Sequence, residues 1–309
     1  MSYCIKCGES LTSPDQACKN CAITATEIID SSKRWIWITA TILTVIIGFT
    51  VITYMLTAKK TTAEEIPVYA ANDSDDFIKN PVQNTFQKRS SYPLPAELKY
   101  VFAEKDENGF SSLNDRFFPI GWSGDGKFAY VLEPADEACG CYFFSIYVQD
   151  MATDKILWKW EFDNADNPEK QTDLSKIWKQ NSTFFTNKLN EFKIQPVSYS
   201  KLSSFPILKG DATLSCAISN SFNENPLGFI NIRETKLYLK SNNKTEKKIY
   251  HKNFRPEKEE YSYQLSNTVV GYLKNPFENR IAIIYSPLYR GYEGPPNVYR
   301  IEPIGCLIE

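Results

Sequence analysis

A single histidine, His251, stands among 309 residues. Histidine is the side chain that changes charge most readily near neutral pH. Its scarcity excludes paired-histidine metal sites and leaves one residue for any imidazole acid–base scheme. His251 sits beside Lys252 at an expected strand end, a surface or half-buried position. The chain has no Gly-x-Ser-x-Gly elbow, no His-Glu-x-x-His, no phosphate loop and no dinucleotide fingerprint, so the commonest hydrolase, metalloprotease and nucleotide-binding signatures are missing. An excess of one charge is missing too. Lys and Arg number 35 against 37 Asp and Glu, for a net charge of -2, and affinity for nucleic acid rests mainly on phosphate neutralisation. No nucleic-acid partner is expected.

What is present is apolar surface. Hydrophobic residues make up 42% of the chain and aromatic residues 14%, enough to bury a core and exclude wholesale disorder. The length suits about two domains. Four stretches differ in composition: residues 1–34, 35–57, 58–95 and 96–309.

Residues 35–57 carry no charged side chain and exceed the roughly 20 residues with which a helix crosses the hydrocarbon core. The threonines within can bond back to the helix, and Trp35, Trp37 and Tyr54 lie near the ends, where such rings prefer the interface. A cleaved signal peptide would have a shorter apolar run nearer the start, followed by small residues. Here the run begins late and ends in Ala58-Lys59-Lys60. A retained single-pass anchor in the cell membrane is expected. Lys33 and Arg34 abut its start, with Lys6 and Lys19 behind them. Beyond Lys59 and Lys60 come Glu64, Glu65, Asp73, Asp75 and Asp76. The basic bias puts the N-terminus in the cytoplasm and the C-terminal domain outside, in the periplasm. Residues 58–95, rich in Thr, Ala, Asn, Asp, Ser and Pro, read as a flexible tether, with some packing on the domain near Phe77 and Phe86.

Cys4-Ile5-Lys6-Cys7-Gly8 and Cys18-Lys19-Asn20-Cys21 form two C-x2-C pairs separated by ten residues. Four thiolates so placed close tetrahedrally around one Zn²⁺ and leave no position for water, which makes Cys4, Cys7, Cys18 and Cys21 a structural, non-catalytic set. So short a head builds no apolar core, and metal binding supplies its folding energy. The head resembles the zinc ribbons at the N-termini of many bacterial membrane proteins, departing from them at Ala22, where the second pair would be followed by glycine. Residues 1–34 balance Lys6, Lys19, Lys33 and Arg34 against Glu9, Asp15, Glu27 and Asp30, so no basic face is offered to nucleic acid. A protein partner is expected instead.

Residues 96–309 read as mainly β, an antiparallel sandwich or propeller-like domain with one covering helix. Arg116 to Trp122 and Lys127 to Glu133 flank Ser-Gly-Asp-Gly, and Asp-Gly tolerates the positive φ of a hairpin turn. Tyr142 to Asp150 and Lys155 to Phe162 form a second hairpin. Further strands are expected at 192–199, 212–219, 229–239, 246–251, 265–273 and 280–285. One helix is expected from Asp173 to Glu191. Leu174, Ile177, Trp178, Phe185, Leu189 and Phe192 recur near the helical period, and Thr172 or Asp173 caps the start. The stretch from Gly121 to Tyr130 has a faint echo at Gly271-Tyr272-Leu273 and Asn279 to Ile283. Its first copy resembles the strand-turn-strand unit that opens the blades of TolB-like β-propellers.

In an oxidising compartment Cys139, Cys141, Cys216 and Cys306 permit two disulfides in three connectivities. Cys139-Gly140-Cys141 is too tight for an easy mutual bridge, so each is expected to pair at a distance. A second metal site or four thiols are the alternatives. Asp115, Asp125, Glu133, Asp136 and Glu137 lie near one hairpin and could supply paired carboxylates for glycoside hydrolysis, although solvated loop acids look the same in sequence. Lys247, Lys248, Lys252, Arg255 and Lys258, interrupted by glutamates, read as an exposed face. Tyr289-Arg290-Gly291-Tyr292-Glu293-Gly294-Pro295-Pro296, with the Gly121 hairpin and the strand ending at Asp150, is similar to an uncharacterised family of predicted secreted bacterial proteins over residues 116–309. That resemblance implies an extracytoplasmic place and no activity. The sequence therefore predicts a membrane-anchored sensor, binding or scaffold protein, with an envelope hydrolase or a glycan- or peptide-binding module as the alternatives.

Overall fold

The structure is a computed structural model. It describes residues 86–99, 112–136, 140–165, 172–224, 228–242, 244–255 and 263–308, with the backbone of three two-residue strands before them. The expected zinc ligands, the expected membrane span and most of the expected tether lie outside the described residues. Among the described residues no helix is long and apolar enough to cross a membrane. The chain divides into two compact units, Met1–Ile66 and Pro67–Glu309. In the first, β1 (Ser2–Tyr3) pairs antiparallel with β2 (Ser10–Leu11).

The described residues of the second unit are mainly β, as the strand-and-turn pattern predicts, and form three mostly antiparallel sheets and two short helices. The chain order is β3 (Tyr69–Ala70), β4 (Ser112–Asn114), β5 (Arg116–Trp122), β6 (Lys127–Glu133), β7 (Phe143–Asp150) and β8 (Lys155–Asp163). The helices α1 (Leu174–Gln180) and α2 (Ser182–Glu191) follow. Then come β9 (Gln195–Ser198), β10 (Ile207–Lys209), β11 (Ala212–Glu224), β12 (Ile230–Ser241) and β13 (Lys244–Asn253). The chain finishes with β14 (Gln264–Lys274), β15 (Arg280–Tyr289), β16 (Asn297–Tyr299) and β17 (Glu302–Leu307). The first sheet runs β3-β9-β5-β6-β7-β8 and the second runs β10-β11-β12-β13. The third runs β14-β15-β16-β4, with β17 also on β15.

Strand side chains alternate between faces, and here both faces are apolar. On β6, Ala129 and Val131 face one core while Phe128 and Tyr130 face another. On β15, Ala282 and Ile284 join the core of Phe128, whereas Ile281, Ile283 and Tyr285 enter a third core with Leu237 and Leu239 of β12. The six-stranded sheet is thus covered by helices on one face and by the β14–β15 sheet on the other. That sheet in turn packs on the β10–β13 sheet.

The expected single helix is two. Asp173 caps the first, its carboxylate accepting from Lys176 N at 2.8 Å, as the sequence predicts. At Asn181 the backbone departs from helical geometry (φ -107°, ψ 13°), and its side-chain amide donates to Ile177 O at 3.0 Å. This is the local competition that makes Asn a poor interior helix residue. Ile177, Trp178, Phe185 and Leu189 face the six-stranded sheet, so the helical period read correctly through the break. Residues 86–95, read from composition as tether, pack on the domain. Tyr92 is buried and donates from its hydroxyl to Ile194 O at 2.5 Å.

The faint internal echo has a structural meaning. The β5–β6 and β14–β15 hairpins each have a β-bulge just before the echoed glycine, between Pro119 and Gly121 and between Val269 and Gly271. A Cβ on Gly121 would stand 1.9 Å from Gln195 O, and one on Gly271 2.5 Å from Ser203 O. At both places a neighbouring backbone comes too close for any side chain.

Candidate functional site

The edges of all three sheets meet around one cleft of about 270 Å³. Tyr130 and Leu132 of β6, and Tyr147 and Gln149 of β7, form its base. Asp154 of the β7–β8 turn and Ile156 of β8 stand at one side, with Ile301 and Glu302 to Ile304 at the other. Tyr250 of β13 brings in the second sheet. Among the described residues β8 and β13 end their sheets and β17 pairs only with β15, so three terminal strands frame the opening.

The aromatic floor is ordered. Tyr130 and Tyr147 stack with ring centres 5.1 Å apart and planes 23° apart, within the range that aromatic pairs prefer. Lys159 Nζ lies 5.6 Å from the Tyr147 ring centre, a cation–π contact. Tyr130 donates to Gln149 Oε1 at 2.8 Å, and burial holds its phenol well above the ordinary range.

The polar groups of the cleft satisfy one another. Glu302 accepts from Tyr250 at 2.9 Å on one oxygen and from Lys252 at 3.2 Å on the other. Gln149 Nε2 donates to Pro303 O at 3.0 Å. Asp154 Oδ1 accepts from Gly305 N at 2.7 Å. Asp154 belongs to an exposed turn and has φ of 58°, yet its carboxyl turns inward, and desolvation raises it above the usual carboxylate range. Through these contacts side chains of the six-stranded sheet cap the outward main-chain groups of β17.

The acids singled out from sequence do not gather in this cleft. Asp115 is buried against Arg300 (3.0 Å), with Ala135 N and Ile301 N donating to it. Burial pushes its carboxyl upward against the pull of Arg300. Glu133 pairs with Arg116 at 2.8 Å, and Asp125 with Lys127 and Ser123 inside the hairpin turn. Asp136 does not line the cleft either, and Glu137 lies outside the described residues. His251 is half-exposed and meets Glu234 at 2.8 Å. Of the basic stretch, Lys252 is drawn into the Glu302 cluster rather than lying open.

Among the cysteines beyond the head, Cys141 is disulfide-bonded, whereas Cys216 and Cys306 are thiols. The partner of Cys141 is therefore neither of those two, and Cys139 lies outside the described residues. Cys216 and Cys306 share the core between the β10–β13 and β14–β15 sheets. Burial and the neighbouring Cys306 push the Cys216 thiol up to about 12. Among the described residues no cluster of His, Cys, Asp or Glu is arranged to hold a metal ion.

A second hollow of about 200 Å³ is walled by Pro93, Pro95, Pro119 and Pro196. Its Tyr199 hydroxyl is committed to Trp122 Nε1 and Lys274 O, and it brings no charged group together. Sequence reasoning did not find the first cleft. Asp154 reads there as a turn residue, and Glu302 lies in a segment whose Pro303 and Gly305 argue against a strand. The available signal was the placing of Tyr130 and Tyr147 on β6 and β7, at positions that alternation assigns to one face.

Comparison with family models, with curated proteins and with solved structures finds no match.

Proposed function

We propose that this chain is a single-pass membrane protein whose outer β domain binds a partner in the tyrosine-floored cleft, while its head is a cytoplasmic zinc ribbon. The observation that carries the reading is the cleft itself, in which three terminal strands converge on a stacked tyrosine pair. Aromatic floors with a few fixed polar groups are what recognition sites use. The membrane anchor at 35–57 and the outward orientation rest on the uncharged run and the basic bias, and the zinc set Cys4, Cys7, Cys18 and Cys21 on its spacing. The pairing of β1 with β2, which brackets Cys4-x2-Cys7 in the chain, is in keeping with a zinc knuckle. The paired bulged hairpins with Gly121 and Gly271 favour propeller-like stacking of the sheets over a simple sandwich.

Hydrolysis has less support. A glycosidase pair needs one carboxyl free to donate a proton and one free to attack or activate water. Glu302 has both oxygens engaged by Tyr250 and Lys252, and Asp154 holds Gly305 N.

The test is site-specific photocrosslinking in native membranes on the full chain. A photoreactive residue at Ile156 is expected to give a discrete adduct, while one at the exposed Leu208, on β10 at the end of its sheet opposite β13, gives none. Equal labelling at both sites, or none at Ile156, would refute the cleft as the working surface. Orientation is read separately with a reporter fused after Glu309, which is expected to be active only outside the cytoplasm.

A further inference from the structure

We propose that β8 and the adjoining cleft take an extended peptide segment of a partner protein, added as a further strand beside β8 with one apolar side chain in the cleft. This rests on the reading of the cleft as a binding site and names what it binds.

The first ground is the open edge. β8 ends the six-stranded sheet and pairs with β7 alone among the described residues. Such an edge presents main-chain donors and acceptors that a second chain can pair with. β17, across the cleft, does not compete, because Gln149 and Asp154 occupy its outward groups at Pro303 and Gly305. At the register shift opposite Val148 and Gln149, β8 exposes the adjacent apolar residues Ile156 (47%) and Leu157 (42%), and Ile156 lines the cleft. On β8, Lys159 and Glu161 neutralise each other at 2.6 Å.

The second ground is the chemistry of the cleft. A saccharide needs many unengaged donors and acceptors for its hydroxyls, and here Glu302, Gln149 and one oxygen of Asp154 are already bonded within the protein. The walls that remain are Leu132, Ile156, Ile301 and Ile304 beside the tyrosine rings, which suit an apolar or aromatic side chain. At about 270 Å³ the cleft falls just below the roughly 300–1,000 Å³ of small-molecule pockets. In strand addition, main-chain bonds give affinity and a side-chain pocket gives selectivity, and the two features lie side by side here.

The experiment offers the purified full chain a random-peptide library and, in parallel, a glycan array. Peptides with an apolar anchor are expected to be enriched. Ile156→Glu is expected to weaken a selected peptide by about tenfold or more without moving the unfolding midpoint. N-methylation at alternate amides of that peptide should abolish binding in one register and spare it in the other, which a merely hydrophobic contact would not do. Binding indifferent to both Ile156→Glu and N-methylation would overturn strand addition. A glycan signal lost in Ile156→Glu, with no peptide enriched, would overturn the peptide while leaving the cleft a binding site. Photocrosslinks absent at Ile156 would remove the cleft itself.

Discussion

Asp115 and Arg300, 185 positions apart in the chain, meet in an ion pair at 3.0 Å. The carboxylate also accepts from Ala135 N and Ile301 N, so one buried side chain ties the start of β5 to the end of β6 and the start of β17. Asp115→Ala would leave two main-chain donors and part of a guanidinium without their acceptor. Because Arg300 keeps some contact with water, the expected cost is about 2–4 kcal/mol, rather than the top of the range for broken buried pairs. Denaturant unfolding checks it, and a loss under about 1 kcal/mol would show that water replaces the carboxylate.

Asp154→Asn should behave in the opposite way. Asparagine keeps an acceptor for Gly305 N and tolerates the left-handed φ of 58°, while removing a desolvated charge. Desolvation raises the folded-state value of Asp154, so its contribution to stability is fully present below the unfolded value and is lost as pH rises through the folded one. The variant lacks that loss. Its stability relative to the native chain is therefore expected to grow as pH rises through the acid range and then level off. Unfolding midpoints at several pH values measure this, and a native chain whose relative stability improves with rising pH would contradict it.

Gly121→Ala puts a Cβ 1.9 Å from Gln195 O, against the backbone of β9 at Gln195 and Pro196. Neither strand can yield without breaking the ladder, so a loss of about 3 kcal/mol or more is expected. Gly210→Ala is the control. There the added carbon meets nothing within 4 Å and only φ of +57° is at stake, which costs about 1–2 kcal/mol. Similar losses at the two positions would mean that β9 shifts to admit the added carbon, so that the close approach does not make Gly121 necessary.

The Cys216 thiol, pushed up to about 12 by burial and by Cys306, has little thiolate at neutral pH. Thiolate is the reactive form, so alkylation of Cys216 is expected to be slow in the folded chain and fast once it unfolds. Mass spectrometry after brief labelling checks this. Prompt modification of Cys216 in the folded chain would place the thiol in open contact with solvent.

The β5–β6 hairpin was readable to the residue because three signals agreed: alternation, an Asp-Gly turn, and apolar runs of the right length. The helical stripe of Leu174, Ile177, Trp178, Phe185 and Leu189 was equally plain, but the break at Asn181 depends on one side-chain bond that no periodicity records. β17 was invisible for a physical reason. Pro303 and Gly305 argue against an interior strand, and only at an edge, with outward groups capped by Gln149 and Asp154, do they fit. The cleft was hidden by the same fact, since Glu302 belongs to that strand. The acids near the first hairpin were legible as acids, but proximity in sequence placed them beside different basic partners.

β17 occupies positions 302–307, and Asp115 waits for Ile301 and Arg300. A chain emerging N-terminus first therefore leaves its central layer open until β17 follows, an interval of 185 positions between Asp115 and the Arg300 it closes on.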